Sequence, residues 1–260
     1  MNRPEHLNLE NASRFKLKSV AEQYDYRAPY SAEVFDTLLG LMAPDYPLVL
    51  DAGCGPGKLV RGLAPHVERV DAVDFSAEMI RVGQTLPGGG RPNIVWQHSA
   101  IETADLLPQY GLIMAGASLH WMDWEVVLPK FGRHLAPDGY FAVVNGDGPF
   151  QVAWADERRE LIREYSTMQN FRPYNMMAML EEQKRFKVVA VKTCSPVEMT
   201  QSVEDFLKAE HSRSSLSIEG MTPERAAEFD QKFREILKPY TQNGMITYPV
   251  STKISWGKPL

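Results

Sequence analysis

The sequence predicts a doubly wound α/β fold with a mostly parallel sheet, and three observations carry that prediction. The apolar run Val49-Leu50 ends in Asp51 and leads into Ala52-Gly53-Cys54-Gly55-Pro56-Gly57, with glycines at alternate positions before an amphipathic segment. A second apolar run, Val70 to Val73, ends in Asp74, which lies 21 residues beyond Gly53. Short apolar runs then alternate with helical periodicity as far as residue 150, the signature of strands joined by crossover helices.

Taken in order, residues 13–42 read as helical with a break near Pro29. Phe15, Leu17 and Val20 cluster first, Val34, Phe35, Leu38, Leu39 and Met42 recur at helical spacing, and Ser31 stands at a helix start. Between these helices lies Tyr24-Asp25-Tyr26-Arg27-Ala28-Pro29-Tyr30. Its rings suit either a turn that covers the core or a lid over a polar ligand. Residues 47–51 form the first strand and 58–65 the helix behind the glycine turn. Missing Cβ atoms in such a turn permit positive φ and close approach of a ligand, and the helix start offers unpaired N–H groups.

Residues 70–74 form the second strand, where Asp74 stands at the offset at which a carboxylate reaches a ribose diol. Ser76 caps the helix at 77–86, with Glu78 in its first turn. Strands at 93–97, 111–115 and 140–145 follow, with a helix at 124–135 before the last. Gly88-Gly89-Gly90 reads as a loop. Beyond residue 150, segments 152–168, 174–184, 202–211 and 223–238 read as helices that cover the strand ends. Residues 186–191 and 245–256 read as strands completing a seven-stranded sheet, the last of them antiparallel. The expected organisation is an N-terminal helical arm at 1–46, a ligand-binding core at 47–150, and cap insertions with the completing strands at 151–260.

Composition narrows the function classes. A net charge of −5 and the lack of a basic run argue against nucleic acid as a partner. Cys54 and Cys194 stand alone, so neither a disulfide framework nor a cysteine metal site is expected, and a reducing cytoplasm suits such usage. The first residues carry no signal-type apolar stretch, and no run is long enough to span a membrane.

With these residues laid out, the chain resembles the class I S-adenosylmethionine-dependent methyltransferases. Asp51 to Gly57 looks like that family's first motif and Ala72-Val73-Asp74-Phe75-Ser76 like its second. The resemblance implies a Rossmann-like fold in which Asp51, Gly53, Gly55 and Gly57 meet the donor's amino-acid end, Asp74 its ribose, and Phe75 its adenine. Relatives carry an aspartate after the third strand; here Ser99 and Ala100 stand there, and a serine hydroxyl accepts more weakly than a carboxylate. Tyr24 and Arg27 would lie over the methionine end. Within the class the chain is most similar to trans-aconitate methyltransferases, on Ala117-Ser118-Leu119-His120-Trp121, Leu135-Ala136-Pro137-Asp138-Gly139, Val203-Glu204-Asp205-Phe206-Leu207 and the serines at 212–217.

The implied reaction is transfer of a methyl group from S-adenosyl-L-methionine to a carboxylate, hydroxyl or ring nitrogen of a small molecule, leaving S-adenosyl-L-homocysteine, with no metal. Such a displacement depends on holding the acceptor in line at close range. A carboxylate acceptor is already ionised, whereas a hydroxyl or ring nitrogen can need a base, for which His120 is the candidate. Tyr30, Trp121 and Trp124 are candidate substrate-binding residues, and Arg27, Arg172 or Arg213 could clamp an acid. The alternatives are a non-enzymatic donor-binding or regulatory protein of the same fold, and an RNA or protein methyltransferase. A monomer or homodimer is expected.

Overall fold

The computed structural model describes residues 4–168 and 171–260. The arm comprises α1 (Leu9–Ser13), α2 (Lys18–Gln23) and α3 (Ala32–Gly40), with single 3-10 turns at Arg14–Lys16 and Tyr24–Tyr26. Then follow β1 (Leu48–Ala52), α4 (Lys58–Leu63), β2 (Arg69–Asp74), α5 (Ala77–Thr85), β3 (Ile94–His98), β4 (Tyr110–Gly116), α6 (Trp124–His134) and β5 (Leu135–Asn145). The remainder comprises α7 (Ala155–Tyr165), α8 (Met176–Glu182), β6 (Phe186–Thr193), β7 (Val197–Ser202), α9 (Val203–His211), α10 (Pro223–Leu237), β8 (Thr241–Gln242), β9 (Met245–Val250) and β10 (Lys253–Pro259).

Seven strands form one sheet in the order β3-β2-β1-β4-β5-β10-β6. The first five are parallel, and β10 runs antiparallel to both β5 and β6. The order reverses between β1 and β4, so the glycine turn after β1 lies at the topological switch point, where ligands of such sheets bind. Both faces are covered, as a parallel sheet requires. Leu50, Ile113 and Phe141 pack under α6 and α8 on one face, and Val49, Leu112 and Val144 under α3 and α4 on the other. Tyr110, whose hydroxyl donates to the Asp71 carboxylate at 2.6 Å, pins the start of β4 to β2.

The cap departs from the expected plan. Residues 245–256 are two strands, not one, separated at Ser251-Thr252. The second part enters the main sheet, while Met245–Val250 pairs with β7 and β8 in a three-stranded antiparallel sheet. The alternation of Ile246, Tyr248 and Val250 is genuine, but these side chains are buried in a separate core with Trp154, Phe206, Phe229 and Phe233. Strand β5 also starts earlier than Tyr140: it pairs from Leu135, with an irregularity opposite Tyr110 and Leu112. Among the described residues, no helix is long and apolar enough to cross a membrane.

The arm crosses the strand ends and packs on α5, with Val20 and Ala21 against Met79 and Val82. Ser76 Oγ, which caps α5 by accepting from Met79 N, also donates to Phe15 O at 2.8 Å. One cap residue thus fixes both helix and arm.

The cap core is the most aromatic part of the molecule, with Phe233 edge-on to Trp154, Phe206 and Phe229. Truncation to Phe233→Ala empties a fully buried site and is expected to cost about 3–5 kcal/mol, read as a fall in the urea midpoint. A change below about 1 kcal/mol would mean that the cap repacks freely.

Candidate active site

The glycine turn is held from below. Gly53 N and Cys54 N both donate to Val73 O, at 2.8 and 3.0 Å, so the loop after β1 is tied to the end of β2. Gly53, Gly55 and Gly57 all have positive φ, at 69°, 54° and 76°. Their surroundings differ. A Cβ on Gly53 would come within 2.6 Å of Ser118 Cβ, and one on Gly57 within 2.5 Å of Trp96 Cη2. A Cβ on Gly55 would meet only Tyr24 Cζ, at 3.9 Å. Gly55 therefore presents its backbone to an open space, while Gly57 makes room for Trp96 and is not among the residues lining the cleft. Gly57, expected to meet a ligand, is placed against Trp96 and Val60.

That open space is a cleft over the ends of β1, β2 and β4. Its floor is Gly53, Gly55, Asp74 and Gly116; its walls include Phe75, Met79, Ser99, Ala100 and Ile101 on one side and Ser118, Trp121 and Met122 on the other. Leu9, Ala12, Phe15 and Tyr24 of the arm complete it. Behind Tyr24 a smaller recess is lined by Asp51, Cys54, Tyr30, Lys58 and Asp147.

Asp74 organises the floor. One carboxylate oxygen accepts from Gly55 N and the other from Ser76 N, each at 2.8 Å, and each retains a lone-pair direction for a ligand. Burial raises its pKa to about 6 against the lowering effect of these two N–H groups. Asp51 is more extreme. It is 2% exposed, its Oδ1 has no hydrogen-bond partner, and burial, with the Asp74 charge second, raises its pKa to about 8. An orphaned carboxyl oxygen of this kind calls for a donor or a cation supplied from outside the protein.

Ser99 Oγ donates to Ala100 O at 3.0 Å and lies 3.4 Å from Thr103 Oγ1, which still leaves a lone pair for an incoming donor. Phe75 lies on the cleft wall, with Lys16 Nζ 5.2 Å from the centre of its ring. Trp121 lines the cleft and meets Phe15 of the arm edge-on at 5.7 Å. Tyr30 lies in the recess, and burial pushes its hydroxyl well above the ordinary phenol range.

The structure separates other candidates from the cleft. Trp124, expected to touch substrate, belongs to the core instead: it is 4% exposed and donates Nε1–H to Leu119 O at 2.9 Å. Arg27, expected at the donor, does not line the main cleft; its guanidinium is consumed by Ser212 and Asp147. Arg213 pairs with Asp147 at 3.6 Å and Glu210 at 3.5 Å, so it is not free to clamp an acid, and Arg172 is exposed. His120 lies in the 3-10 turn Leu119–Trp121 with its ring 4.9 Å from that of Trp121, and it is not among the residues lining the cleft.

Sequence reasoning missed Asp147 and the arm residues Leu9 and Ala12, and it noted Ser212 only as part of a motif, without a role. Asp147 had a signal, since it lies just beyond the end of a strand as Asp74 lies at the end of one, after Gly146 at φ 106°. Among the described residues, no group of three or more histidine, cysteine or acidic side chains could hold a metal ion.

Comparison with known proteins agrees with this geometry. Residues 49–139, from β1 into β5, match the family model of a methyltransferase domain. Over these residues the chain is similar to a methyltransferase domain, the kind to which its two strand-end motifs point. An uncharacterised methyltransferase of Mycobacterium tuberculosis (strain H37Rv) is 37% identical over 121 residues, 45% of this chain and 60% of that protein. A trans-aconitate 2-methyltransferase of an Azoarcus species is 32% identical over 111 residues, 42% of each chain. The chain thus spans 60% or less of the length of these curated relatives. The methyltransferase-type fold extends further: the structure of a putative type II methyltransferase from Anaeromyxobacter dehalogenans superposes with a TM-score of 0.64 at 19% identity, covering 89% of this chain and 97% of that one.

The raised pKa of Asp51 carries a sign that can be tested without any ligand. The folded state holds a proton that the unfolded chain releases, so Asp51 lowers stability as pH rises from about 4 to about 8. Asp51→Asn removes this titration. Its melting temperature relative to the parent is expected to rise steadily between pH 5 and pH 8, and a difference that does not change with pH would contradict the assignment.

Proposed function

We propose that the chain is an S-adenosylmethionine-dependent methyltransferase acting on a small molecule. The observation that carries this reading is the buried, unpartnered Oδ1 of Asp51 beside a glycine turn and a second strand-end carboxylate. An ammonium group satisfies Asp51, a vicinal diol satisfies Asp74, and a flat base suits the wall formed by Phe75, Met79 and Ile101, with Ser99 at its edge. Gly53 and Gly55 let the ligand approach the backbone, and Tyr24 closes it from the arm side. When bound, S-adenosylmethionine supplies an activated methyl group on a sulfonium with a good leaving group.

The protein's own contribution is orientation and exclusion of water. Phe15 and Trp121 wall the cleft with apolar surface, and Tyr30 supplies a buried hydroxyl in the recess. Acceptance by a hydroxyl or ring nitrogen fits this lining better than acceptance by a carboxylate, because Arg27 and Arg213 are already neutralised by Asp147 and Glu210. His120 would then serve through solvent or after a small movement of its 3-10 turn, as the base that takes the acceptor's proton.

Isothermal titration with S-adenosylmethionine and S-adenosylhomocysteine tests the reading. Binding in the micromolar range is expected, and no heat at high micromolar ligand would refute it. Asp74→Ala removes two charge-assisted hydrogen bonds, worth roughly 1.5–3 kcal/mol each, and should weaken binding at least tenfold. Unchanged affinity in a folded Asp74→Ala variant would remove the ribose assignment.

A further inference from the structure

Arg27 is 6% exposed and its guanidinium is spent on two other parts of the chain. Nε donates to Ser212 Oγ at 2.7 Å, Nη2 to Ser212 O at 2.8 Å, and Nη1 to Asp147 Oδ2 at 3.1 Å. Its Cζ lies 4.0 Å from the centre of the Tyr24 ring, so the planar cation backs that ring.

Each partner is itself fixed. Ser212 is fully buried at the end of α9, where Oγ donates to Ala209 O at 2.6 Å. Asp147 follows Gly146, where any side chain would strike Ser251 O at 2.4 Å, so the segment after β5 lies hard against the turn before β10. The ion pairs continue from Asp147 to Arg213, from Arg213 to Glu210, and from Glu210 to Arg158, whose Nη2 donates to both carboxylate oxygens at 2.8 Å. Lys58, the first residue of α4, donates Nζ–H to the backbone carbonyls of Arg27 and Ala28. Arm, sheet end, cap and the helix behind the glycine turn therefore meet at one residue.

What that residue holds in place is Tyr24, which lines both the cleft and the recess and is the nearest group to the open side of Gly55. The other arm residues on the cleft, Leu9, Ala12 and Phe15, precede it in the same segment. These four side chains form the arm's share of the cleft lining, so a shift of the segment opens the cleft on that side.

We propose that Arg27 is a positioning residue for the methyl donor, acting through Tyr24: by joining the arm to Asp147 and Ser212 it sets how long the donor stays in the cleft, without touching it. This rests on the reading of the cleft given above. A lysine keeps the charge at Asp147 but cannot also fork onto both oxygens of Ser212 or back the tyrosine ring. Asp147→Asn removes the charge at the other end of the same junction.

The test is stopped-flow measurement of S-adenosylhomocysteine association and release, followed by tryptophan fluorescence. Arg27→Lys is expected to speed release at least tenfold with association equal to or faster than that of the parent. Asp147→Asn should act in the same direction, and the double variant should be less than additive. Phe233→Leu, which loosens the cap core away from the cleft, serves as the control for general destabilisation and should release at the parental rate. The proposal is overturned if folded Arg27→Lys releases at the parental rate, or if Phe233→Leu speeds release as much. Absence of binding to the parent protein would instead overturn the reading of the cleft.

Discussion

The carboxylate of Asp74 is the constraint on which the cleft depends. Its two oxygens hold Gly55 N of the first turn and Ser76 N at the start of α5, so one side chain fixes the relative positions of two strand ends. Ser76 passes that order on to the arm through Phe15 O. Burying a carboxylate in this way is costly, and the cost appears as the raised pKa of Asp74 and the larger rise at Asp51. The floor is thus a place where the protein holds unmet polar demand, which a ligand with complementary donors relieves.

A second concentration of charge lies across the tyrosine segment and has the opposite character. Asp147 is partly buried, which alone would raise its pKa, but Arg213, Arg27 and Lys58 together hold it well below the usual carboxylate range. Here every charge has a partner, and breaking one contact leaves another buried charge exposed to the full desolvation cost. The two clusters divide the work: the unsatisfied one suits binding, and the satisfied one suits holding the walls in place.

Much of this was legible in the sequence. The order of β1 to β5, the glycine turn and Asp74 follow from local signals, because strand and turn chemistry act over a few residues. The cap was not legible to the same degree. Apolar alternation across 245–256 reads as one strand, and only pairing with residues 197–202 or 186–193 decides which sheet each half joins. The placement of Arg27 off the main cleft was not legible for a similar reason. Its partners lie 120 and 185 residues away, and no local pattern distinguishes a guanidinium aimed at a ligand from one aimed at a distant carboxylate. Trp124 shows the same limit: an indole at a helix start suits a pocket wall or a core equally well until its N–H finds Leu119 O.

Hydrogen–deuterium exchange with and without S-adenosylhomocysteine tests the central claim most directly, since it reads the position of the ligand along the whole backbone. The account predicts new protection at residues 53–57, at 74–76 and in the arm from residue 9 to residue 27, with the cap sheet of β7, β8 and β9 unchanged. Protection confined to the cap, or none at the glycine turn, would contradict it.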